Sequence, residues 1–280
     1  MTDNKKRGED ALAQLDRELK SRDRAEKSRP LKVGLAAAVV ILAIVGGIWW
    51  LATSGDDEQI TADEQPTTTE APEMEPLTMA RAEALPATVT CEYEEAGEAS
   101  REISTPATEN ISTEGTVTVN LDTSQGPIGM ELDRSVAPCT VNAIEHFAAE
   151  GYYDDTVCHR LTTSGIYVLQ CGDPSGSGAG GPGFQFANEY PTDELDEPAT
   201  TPVIYPRGSI AMANAGPGTN GSQFFLNYQD SPLAPDYTYF GQISEEGLAT
   251  LDGIATAGAE GGAADGAPAE EVRIETATVG

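Results

Sequence analysis

An uncharged stretch of 21 residues, from Val33 to Thr53, most constrains what this chain can fold into. As a helix it would be about 32 Å long at roughly 1.5 Å per residue, which matches the hydrocarbon core of a bilayer. Trp49 and Trp50 lie at its far end, where amphipathic rings prefer the headgroup zone. We therefore expect a single transmembrane helix over residues 33–53. The alternative is a cleaved signal peptide, but the run starts late, is too long and lacks a clear cleavage site.

The charges on either side of this stretch predict its orientation. Residues 1–32 carry ten Lys and Arg against seven Asp and Glu, a net charge of +3. The residues after the stretch carry six arginines, no lysine and 39 acidic residues, a net charge of −33. Because basic flanks stay in the cytoplasm, we expect a cytoplasmic tail over residues 1–32 and a single-pass cell-membrane protein whose C-terminal domain lies outside. So acidic a surface also argues against a nucleic-acid partner.

Two segments separate the predicted helix from the globular part. Residues 54–86 are rich in Thr, Glu, Pro and Ala and too polar to bury a core, which predicts a disordered linker. Residues 87–115 contain a cysteine and a tyrosine, and we interpret them as an N-terminal extension stapled to the domain that follows. The globular domain is then expected over residues 116–280.

The four cysteines all follow the predicted membrane helix. An even number of cysteines in an oxidising compartment suggests two disulfides, and the absence of any C-x-x-C pair argues against a zinc site. Three pairings are possible, and we favour Cys91 with Cys139 and Cys158 with Cys171.

Short alternating segments dominate residues 116–280. Val117, Val119 and Leu121 alternate with polar residues, which is typical of a half-buried strand, and a turn at Gln125-Gly126 leads into a second strand. Six more strands are predicted, over residues 156–161, 166–170, 209–213, 222–227, 239–243 and 272–278. Apolar residues at helical spacing predict two helices, over 138–150, with Thr140 able to cap it, and over 245–256. The pattern predicts a mainly β fold, a closed or nearly closed antiparallel sheet whose ends are covered by helices.

Two classes of chemistry find little support in the sequence. No G-x-S-x-G elbow is present, which argues against a hydrolase of that type. Residues 176–181 fit G-x-G-x-x-G, but Pro182-Gly183-Phe184 follows and could not open a helix to receive a pyrophosphate. We interpret the glycine-rich run as a surface loop that lets an extended peptide come close.

Three stretches taken together are far more informative. They are Cys158-His-Arg160, then Gln170-Cys-Gly-Asp173 leading to Gly178-Ala-Gly-Gly-Pro-Gly183, then Gly208 to Pro217 running to Thr219-Asn-Gly-Ser-Gln-Phe-Phe225. They closely resemble the central signature of the cyclophilins, and the resemblance covers roughly residues 116–280. It implies an eight-stranded antiparallel closed β-barrel capped by two α-helices. It also implies peptidyl-prolyl cis-trans isomerase activity on unfolded or nascent proline-containing polypeptides, with no metal or other cofactor.

The resemblance also assigns roles to individual residues. Arg160 corresponds to the family's catalytic arginine, Gln170 to its neighbour in the pocket and Asn214 to the residue whose backbone grips the peptide. The expected substrate-binding residues are Tyr167, Val168, Ala213, Gln223, Phe225, Leu233 and Tyr237. Rotation of an X-Pro bond costs ~18–20 kcal/mol because the amide loses conjugation, and the twisted nitrogen regains a lone pair. A guanidinium aimed at that nitrogen would stabilise the twisted state more than either planar one.

The sequence departs from the family pattern at four places. Counting back from Gln170 puts Tyr167 where the family usually has phenylalanine. The loop between Arg160 and Gln170 is two residues longer than usual. Leu233 replaces a tryptophan that contacts cyclosporin in many members, so weak or no binding of that drug is expected. Tyr237 replaces a histidine, so the site lacks that titrating imidazole. The competing hypotheses are a proline-peptide-binding module or holdase with little turnover, and a purely structural envelope protein.

Overall fold

The computed structural model describes residues 74–195 and 201–280. The predicted cytoplasmic tail, the predicted membrane helix and residues 54–73 of the predicted linker lie outside the described residues. Within the described ranges, no helix is both long enough and apolar enough to cross a membrane.

The first half of the described part contains nine strands and one long helix. These are β1 (Thr88–Val89), β2 (Glu94–Glu95), β3 (Ile111–Ser112), β4 (Thr116–Thr123), β5 (Gly126–Asp133), α1 (Pro138–Ala149), β6 (Thr156–Val157), β7 (Arg160–Thr162), β8 (Val168–Cys171) and β9 (Phe184–Gln185). A short 3₁₀ helix, Thr192–Glu194, follows β9.

The second half adds seven strands and a second long helix. These are β10 (Val203–Tyr205), β11 (Ser209–Met212), β12 (Phe224–Asn227), β13 (Ser231–Leu233), β14 (Tyr239–Ile243), α2 (Glu245–Ala257), β15 (Asp265–Gly266) and β16 (Arg273–Val279). A 3₁₀ turn, Glu260–Gly262, lies between α2 and β15.

One antiparallel sheet of ten strands forms the body of the domain, in the order β15-β7-β8-β12-β11-β14-β5-β4-β16-β6. β6 lies at one edge and β7 lies beside the other edge, yet only Cys158 and His159 separate them in the chain. Because two residues span only a few ångströms, the sheet must curl until its edges approach each other. The mainly β architecture with two helices is therefore confirmed.

The strand count differs from the eight predicted. The segment predicted as one strand over 156–161 is divided into β6 and β7, and β15 was not predicted. Within the described residues, no ladder joins the edge strands β15 and β6. The hydrogen-bonded sheet is thus a curled ten-stranded one rather than a closed eight-stranded barrel.

The alternation in β4 and β5 builds the core. Every second residue of β4 is buried, and the paired strand β5 buries Ile128, Met130 and Leu132. The helix α1 buries Val141, Ile144 and Phe147 on one face, as its spacing predicted. Burial of such side chains stabilises a fold by about 1.5–3 kcal/mol each, before the entropy cost of ordering the chain.

The start of α1 is capped by a distant carboxylate rather than by Thr140. The N-cap position is Ala137, which makes no side-chain hydrogen bond. Glu189 instead accepts hydrogen bonds from the main-chain N–H groups of Cys139 and Thr140, and from the Thr140 hydroxyl, at 2.7–3.0 Å. A carboxylate at this end also interacts favourably with the helix dipole. Thr140 therefore donates hydrogen bonds to the capping carboxylate of Glu189 and is not itself the capping residue.

Part of the predicted linker is ordered against the domain. Leu77 donates a main-chain hydrogen bond to Ile204 at 2.8 Å, and Pro76 forms a parallel bridge with the same residue. Arg81 forms an ion pair with Asp193, with closest atoms 2.6 Å apart. These contacts correct the predicted extent of the linker, because residues 74–86 have partners in the domain that a local composition argument could not foresee.

The residues from 87 to 115 are joined to the domain by strands and a disulfide. β1 pairs with β3, and β2 pairs with β9 of the glycine-rich region. Both favoured disulfides, Cys91–Cys139 and Cys158–Cys171, are present. The first ties the extension to α1, and the second joins the bend between β6 and β7 to the end of β8.

Candidate functional site

A small cavity of about 180 Å³ opens on the surface of the sheet beside β7, β8 and β12. Its lining combines one cation, two amides and an apolar wall. The lining residues are Arg160, Ile166, Val168, Gln170, Ala213, Asn214, Phe225, Leu233 and Tyr237. Eight of these nine are residues to which the sequence assigned a role, and Ile166 is the exception.

Strand register brings the polar and apolar parts of this cavity together. Arg160 of β7 pairs with Gln170 of β8, and Gln170 pairs in turn with Phe225 of β12. Directly opposed residues of an antiparallel ladder point to the same face of the sheet. The three side chains therefore form a row across neighbouring strands, although 65 positions separate Arg160 from Phe225 in the sequence.

The guanidinium of Arg160 is held from two sides. Its Nε and Nη2 donate to the two carboxylate oxygens of Asp265 at 2.8 and 2.7 Å, and its Nη1 donates to Gln170 Oε1 at 3.2 Å. The hydrogen bond to Asp265 raises the pKa of Arg160 above its ordinary value. Arg160 thus stays a cation at any physiological pH, with one N–H of each terminal nitrogen still available to a ligand.

A chain of amides connects Arg160 to the glycine-rich loop. Gln170 Nε2 donates to Gln223 Oε1 at 2.9 Å. Gln223 Nε2 donates in turn to the carbonyl oxygens of Gly178 and Gly180, at 3.1 and 2.9 Å. The orientation of both amides follows from this relay, since each uses its oxygen on one side and its nitrogen on the other.

Asp173 holds the glycine-rich loop from beneath. Its side chain is fully buried, and its oxygens accept main-chain hydrogen bonds from Ser175, Gly178 and Gly180 at 2.8–3.0 Å. Burial by itself raises the pKa of Asp173, but the hydrogen bonds from Ser175, Gly180 and Gly178 outweigh it and hold that pKa below its ordinary value. Asp173 belongs to the signature stretch, but no role was predicted for it. The available signal was an acidic residue shortly before a glycine-rich run.

The side chain of Asn214 hydrogen-bonds to neighbouring loop residues, and its main chain lies at the cavity. Its Nδ2 donates to the Asp236 carbonyl at 2.9 Å, and its Oδ1 accepts from Gly216 N at 3.1 Å. Within residues 74–195 and 201–280, its main-chain N–H and C=O make no hydrogen bond. Both groups are therefore available to a ligand.

Tyr167 does not line the cavity, contrary to expectation. Its ring packs edge-on against Tyr228, with centroids 5.9 Å apart, and Ile166 takes the position at the cavity wall. Side chains alternate between the two faces along β8 and the residues just before it. Ile166, Val168 and Gln170 therefore share one face, and residue 167 points to the other. Counting back three residues from Gln170 led to residue 167, which by this alternation lies on the opposite face.

Phe225 forms the apolar wall of the cavity with Tyr237. Phe225 is buried, and its ring meets Tyr237 edge-on at 5.5 Å. Leu233 completes the wall from β13, which pairs with β10. An apolar wall facing one cation and several amides is typical of a ligand site that binds an apolar ring and orients it with a few polar groups.

A larger cleft of about 600 Å³ adjoins the cavity and shares Gln170, Ala213 and Asn214 with it, whereas the expected substrate-binding residue Gln223 lines the cleft alone. The glycine-rich loop forms one side of this cleft. Residues 96–98 of the extension also line it. The sequence placed the extension beside the domain but gave no sign that it reaches the site.

His159 lies under the glycine-rich loop, between the cystine and Arg160. Its two ring nitrogens are buried and have no hydrogen-bond partner within the described part of the chain. Burial lowers its pKa, against the opposing effect of Asp173. The imidazole therefore remains neutral at physiological pH and acts as packing beneath the loop.

Comparison with known proteins identifies a family and several relatives. The model of the family described as cyclophilin type peptidyl-prolyl cis-trans isomerase/CLD matches residues 117–279. A probable peptidyl-prolyl cis-trans isomerase B of Mycobacterium tuberculosis is 53% identical over 190 residues, covering 66% of this chain and 62% of the relative. The protein of the same description from Mycobacterium leprae is 50% identical over 194 residues, covering 67% and 66%.

More distant relatives are similar over the domain alone. A peptidyl-prolyl cis-trans isomerase-like 1 of Gibberella zeae is 36% identical over 169 residues, covering 59% of this chain and 95% of the relative. A crystal structure of a cyclophilin type isomerase of Cryptosporidium parvum is 31% identical with a TM-score of 0.49, covering 59% of this chain and 98% of that one. The chain spans less than two thirds of the length of the mycobacterial relatives. It belongs to the family of cyclophilin-type peptidyl-prolyl cis-trans isomerases.

Proposed function

We propose that this protein catalyses the cis-trans isomerisation of X-Pro bonds in polypeptides. The observation that carries the proposal is the position of the Arg160 guanidinium, which lines the same small cavity as Val168, Phe225 and Leu233. A proline ring seated on that apolar wall would place its imide nitrogen within reach of a fixed cation. The family and the names of the relatives support the same activity.

The chemistry requires no covalent intermediate. In the twisted state the imide nitrogen pyramidalises and its lone pair becomes a hydrogen-bond acceptor, whereas in both planar states that lone pair is delocalised. An N–H of Arg160 can therefore bind the twisted state more tightly than either planar state, which lowers the barrier. Gln170 keeps the guanidinium in place, and the main chain of Asn214 holds the peptide still on one side of the rotating bond.

The proposed function includes a class of substrate and a cellular location. We expect unfolded or nascent proline-containing polypeptides as substrates, held in the cleft between the glycine-rich loop and the extension. The charge distribution and the uncharged run over residues 33–53 support a role on exported polypeptides, with the domain tethered outside the cell membrane by one helix. Leu233 in the cavity wall supports weak or no cyclosporin binding.

A matched pair of variants tests the proposal. Arg207 resembles Arg160 closely, since it also forms a two-point ion pair with an aspartate, and the two arginine side chains are 39% and 38% exposed. In an isotopic-exchange or protease-coupled assay on an X-Pro peptide, Arg160→Ala should lower kcat/KM about 10²–10³-fold. Arg207→Ala should change it by less than about twofold, because Arg207 lies outside the cavity.

Two outcomes would contradict the proposal. Equal turnover by wild type and Arg160→Ala would remove the assigned catalytic role. Peptide binding without any acceleration by the wild-type protein would favour the alternative, a proline-peptide-binding module or holdase.

A further inference from the structure

We infer that Asp265 is a positioning residue for the reaction, which fixes the direction in which the Arg160 guanidinium presents its free N–H groups. The inference rests on the proposed function, since it concerns the same guanidinium. Asp265 does not line the cavity and so acts through Arg160 alone.

The geometry of the pair is that of a two-point clamp. Both carboxylate oxygens of Asp265 are used, one by Nε at 2.8 Å and one by Nη2 at 2.7 Å. Two parallel hydrogen bonds between planar groups fix the plane and the in-plane rotation of the guanidinium, which a single bond would not. Gln170 then adds a third contact, at Nη1, from the opposite side.

The backbone around Asp265 is built to hold the clamp. β15 pairs with β7 so that Asp265 is opposite Thr162, two residues from Arg160 and on the same face of the sheet. Thr163 N donates to the Ala264 carbonyl at 2.8 Å, and Ala259 forms a bridge with Pro268 at the base of the loop. The clamp is thus attached to the strand that carries the catalytic cation.

Asp265 differs in kind from the residues around it. Residues 261–269 consist of Gly, Ala and Pro except for Asp265. A loop of this composition has no other side chain that can pair with a guanidinium. The only charged group of the segment is therefore the one placed against Arg160.

Two opposing effects of Asp265 must be weighed. An anion beside the guanidinium reduces the field that the cation exerts on the imide nitrogen. The side chain of Arg160 is 38% exposed, however, and without the clamp it would sample many rotamers in solvent. Small misplacements of a catalytic group reduce rates severely, so the gain in direction outweighs the loss in field.

The Arg207–Asp252 pair supplies a control of the same kind. Its hydrogen bonds measure 2.8 and 2.9 Å, and the two aspartates, Asp252 and Asp265, are 56% and 54% exposed. Substitution of either aspartate removes a two-point surface ion pair, so any cost to stability should be similar for the two. Only one of them should alter the reaction.

The test measures kcat and KM of the full chain for an X-Pro peptide. Asp265→Ala should lower kcat about tenfold with KM within about twofold, whereas Asp252→Ala should leave both within about twofold. Asp265→Asn should fall between Asp265→Ala and wild type, because its single amide oxygen can still accept one hydrogen bond. Arg160→Ala in the same assay tests the proposed function separately.

A second readout does not depend on turnover. In ¹⁵N-labelled protein, the Nε–H group of Arg160 should exchange slowly with water in the wild type and in Asp252→Ala, and rapidly in Asp265→Ala. Suppose that the wild type turns over and Arg160→Ala does not. An unchanged or raised kcat in Asp265→Ala would then overturn the inference, while the proposed function would stand. A wild-type protein without turnover would instead remove the proposed function, and slow exchange persisting in Asp265→Ala would show that there is no clamp.

Discussion

The site has two halves, the small cavity and the glycine-rich side of the adjoining cleft, and they are held in place by different means. On one half, Arg160, Val168, Gln170 and Phe225 project from neighbouring strands, and the ladder of main-chain hydrogen bonds fixes their spacing. On the other half, the glycine-rich loop has few ladder bonds and is held by side chains, chiefly the buried carboxylate of Asp173 together with the amide of Gln223. The strands fix the positions of their residues through main-chain hydrogen bonds, whereas this loop is fixed by side chains, chiefly that of Asp173.

This difference has a consequence for robustness. A substitution on the strand half removes a chemical group but leaves the frame intact. A substitution at the centre of the loop half removes the frame while leaving every cavity side chain present. The two kinds of change should therefore separate in experiment, with the first affecting the rate and the second affecting stability and peptide binding.

The largest expected effect on stability comes from Asp173→Asn. Each carboxylate oxygen of Asp173 accepts at least one main-chain N–H, so an amide NH₂ placed at either oxygen would meet a donor. Buried donors left without an acceptor cost about 1–3 kcal/mol, and the free energy of unfolding should fall by about 2–3 kcal/mol. Urea denaturation measures this change.

Hydrogen exchange shows where the Asp173→Asn effect falls. The amides of residues 175–181 should lose protection, and those of β8 and β12 should retain it. Equal loss in both regions would mean that the two halves are not held separately, and the comparison would fail.

A smaller effect is expected from Gly180→Ala. A methyl group at Gly180 would collide with the side chains of Asp173 and Ser100, whereas at Gly181 nothing lies within 4 Å of the added atom. Overpacking at Gly180 should lower the free energy of unfolding by about 1–2 kcal/mol and raise KM. Gly181→Ala is the control for stability and should leave the free energy of unfolding unchanged. Similar effects of the two substitutions would show that the loop shifts to accommodate an added methyl group and does not need to pack closely on Asp173.

The smallest effect concerns pH and His159, which lies where the two halves meet. Burial lowers the pKa of its imidazole in the folded protein. The unfolded chain therefore takes up this proton first as pH falls through about 6.5, and stability should decrease below that pH. His159→Leu should reduce this decrease, as measured by thermal unfolding between pH 7 and 5. Because the cavity lining contains no histidine and burial favours the neutral form of His159, the rate should stay flat between about pH 6 and 8, and an inflection near pH 6.5 would contradict this.

Much of the fold could be predicted from local patterns. The hairpin of β4 and β5, the strand Tyr239–Ile243 and the two helices lie within about two residues of their predicted bounds. These elements follow from a period of two or 3.6 in apolar residues, which acts over a few positions of the chain. Short strands such as β15 carry no period, and for that reason the strand count was wrong.

The candidate site was also predicted in large part, but for a different reason. The signature stretches placed Arg160, Gln170, Asn214 and Phe225 through their resemblance to a family, and the structure brings these residues to one cavity. Counting back three residues from Gln170 failed at Tyr167, because an odd number of positions leads to the opposite face of the strand. A one-residue shift exchanges the two faces of a strand, so Ile166 lies at the wall instead.

The sequence by itself determined the local periodicity, the composition boundaries, the four cysteines and the family signature. Only the tertiary structure decided that Glu189 caps α1, that residues 96–98 reach the cleft and that Asp265 clamps Arg160. The physical reason is distance along the chain, since 105 positions separate Arg160 from Asp265 and about 50 separate Glu189 from the helix that it caps. Preferences for helix or strand depend on neighbouring residues. Long-range pairings instead depend on sheet register and on the need of buried polar groups for hydrogen-bond partners.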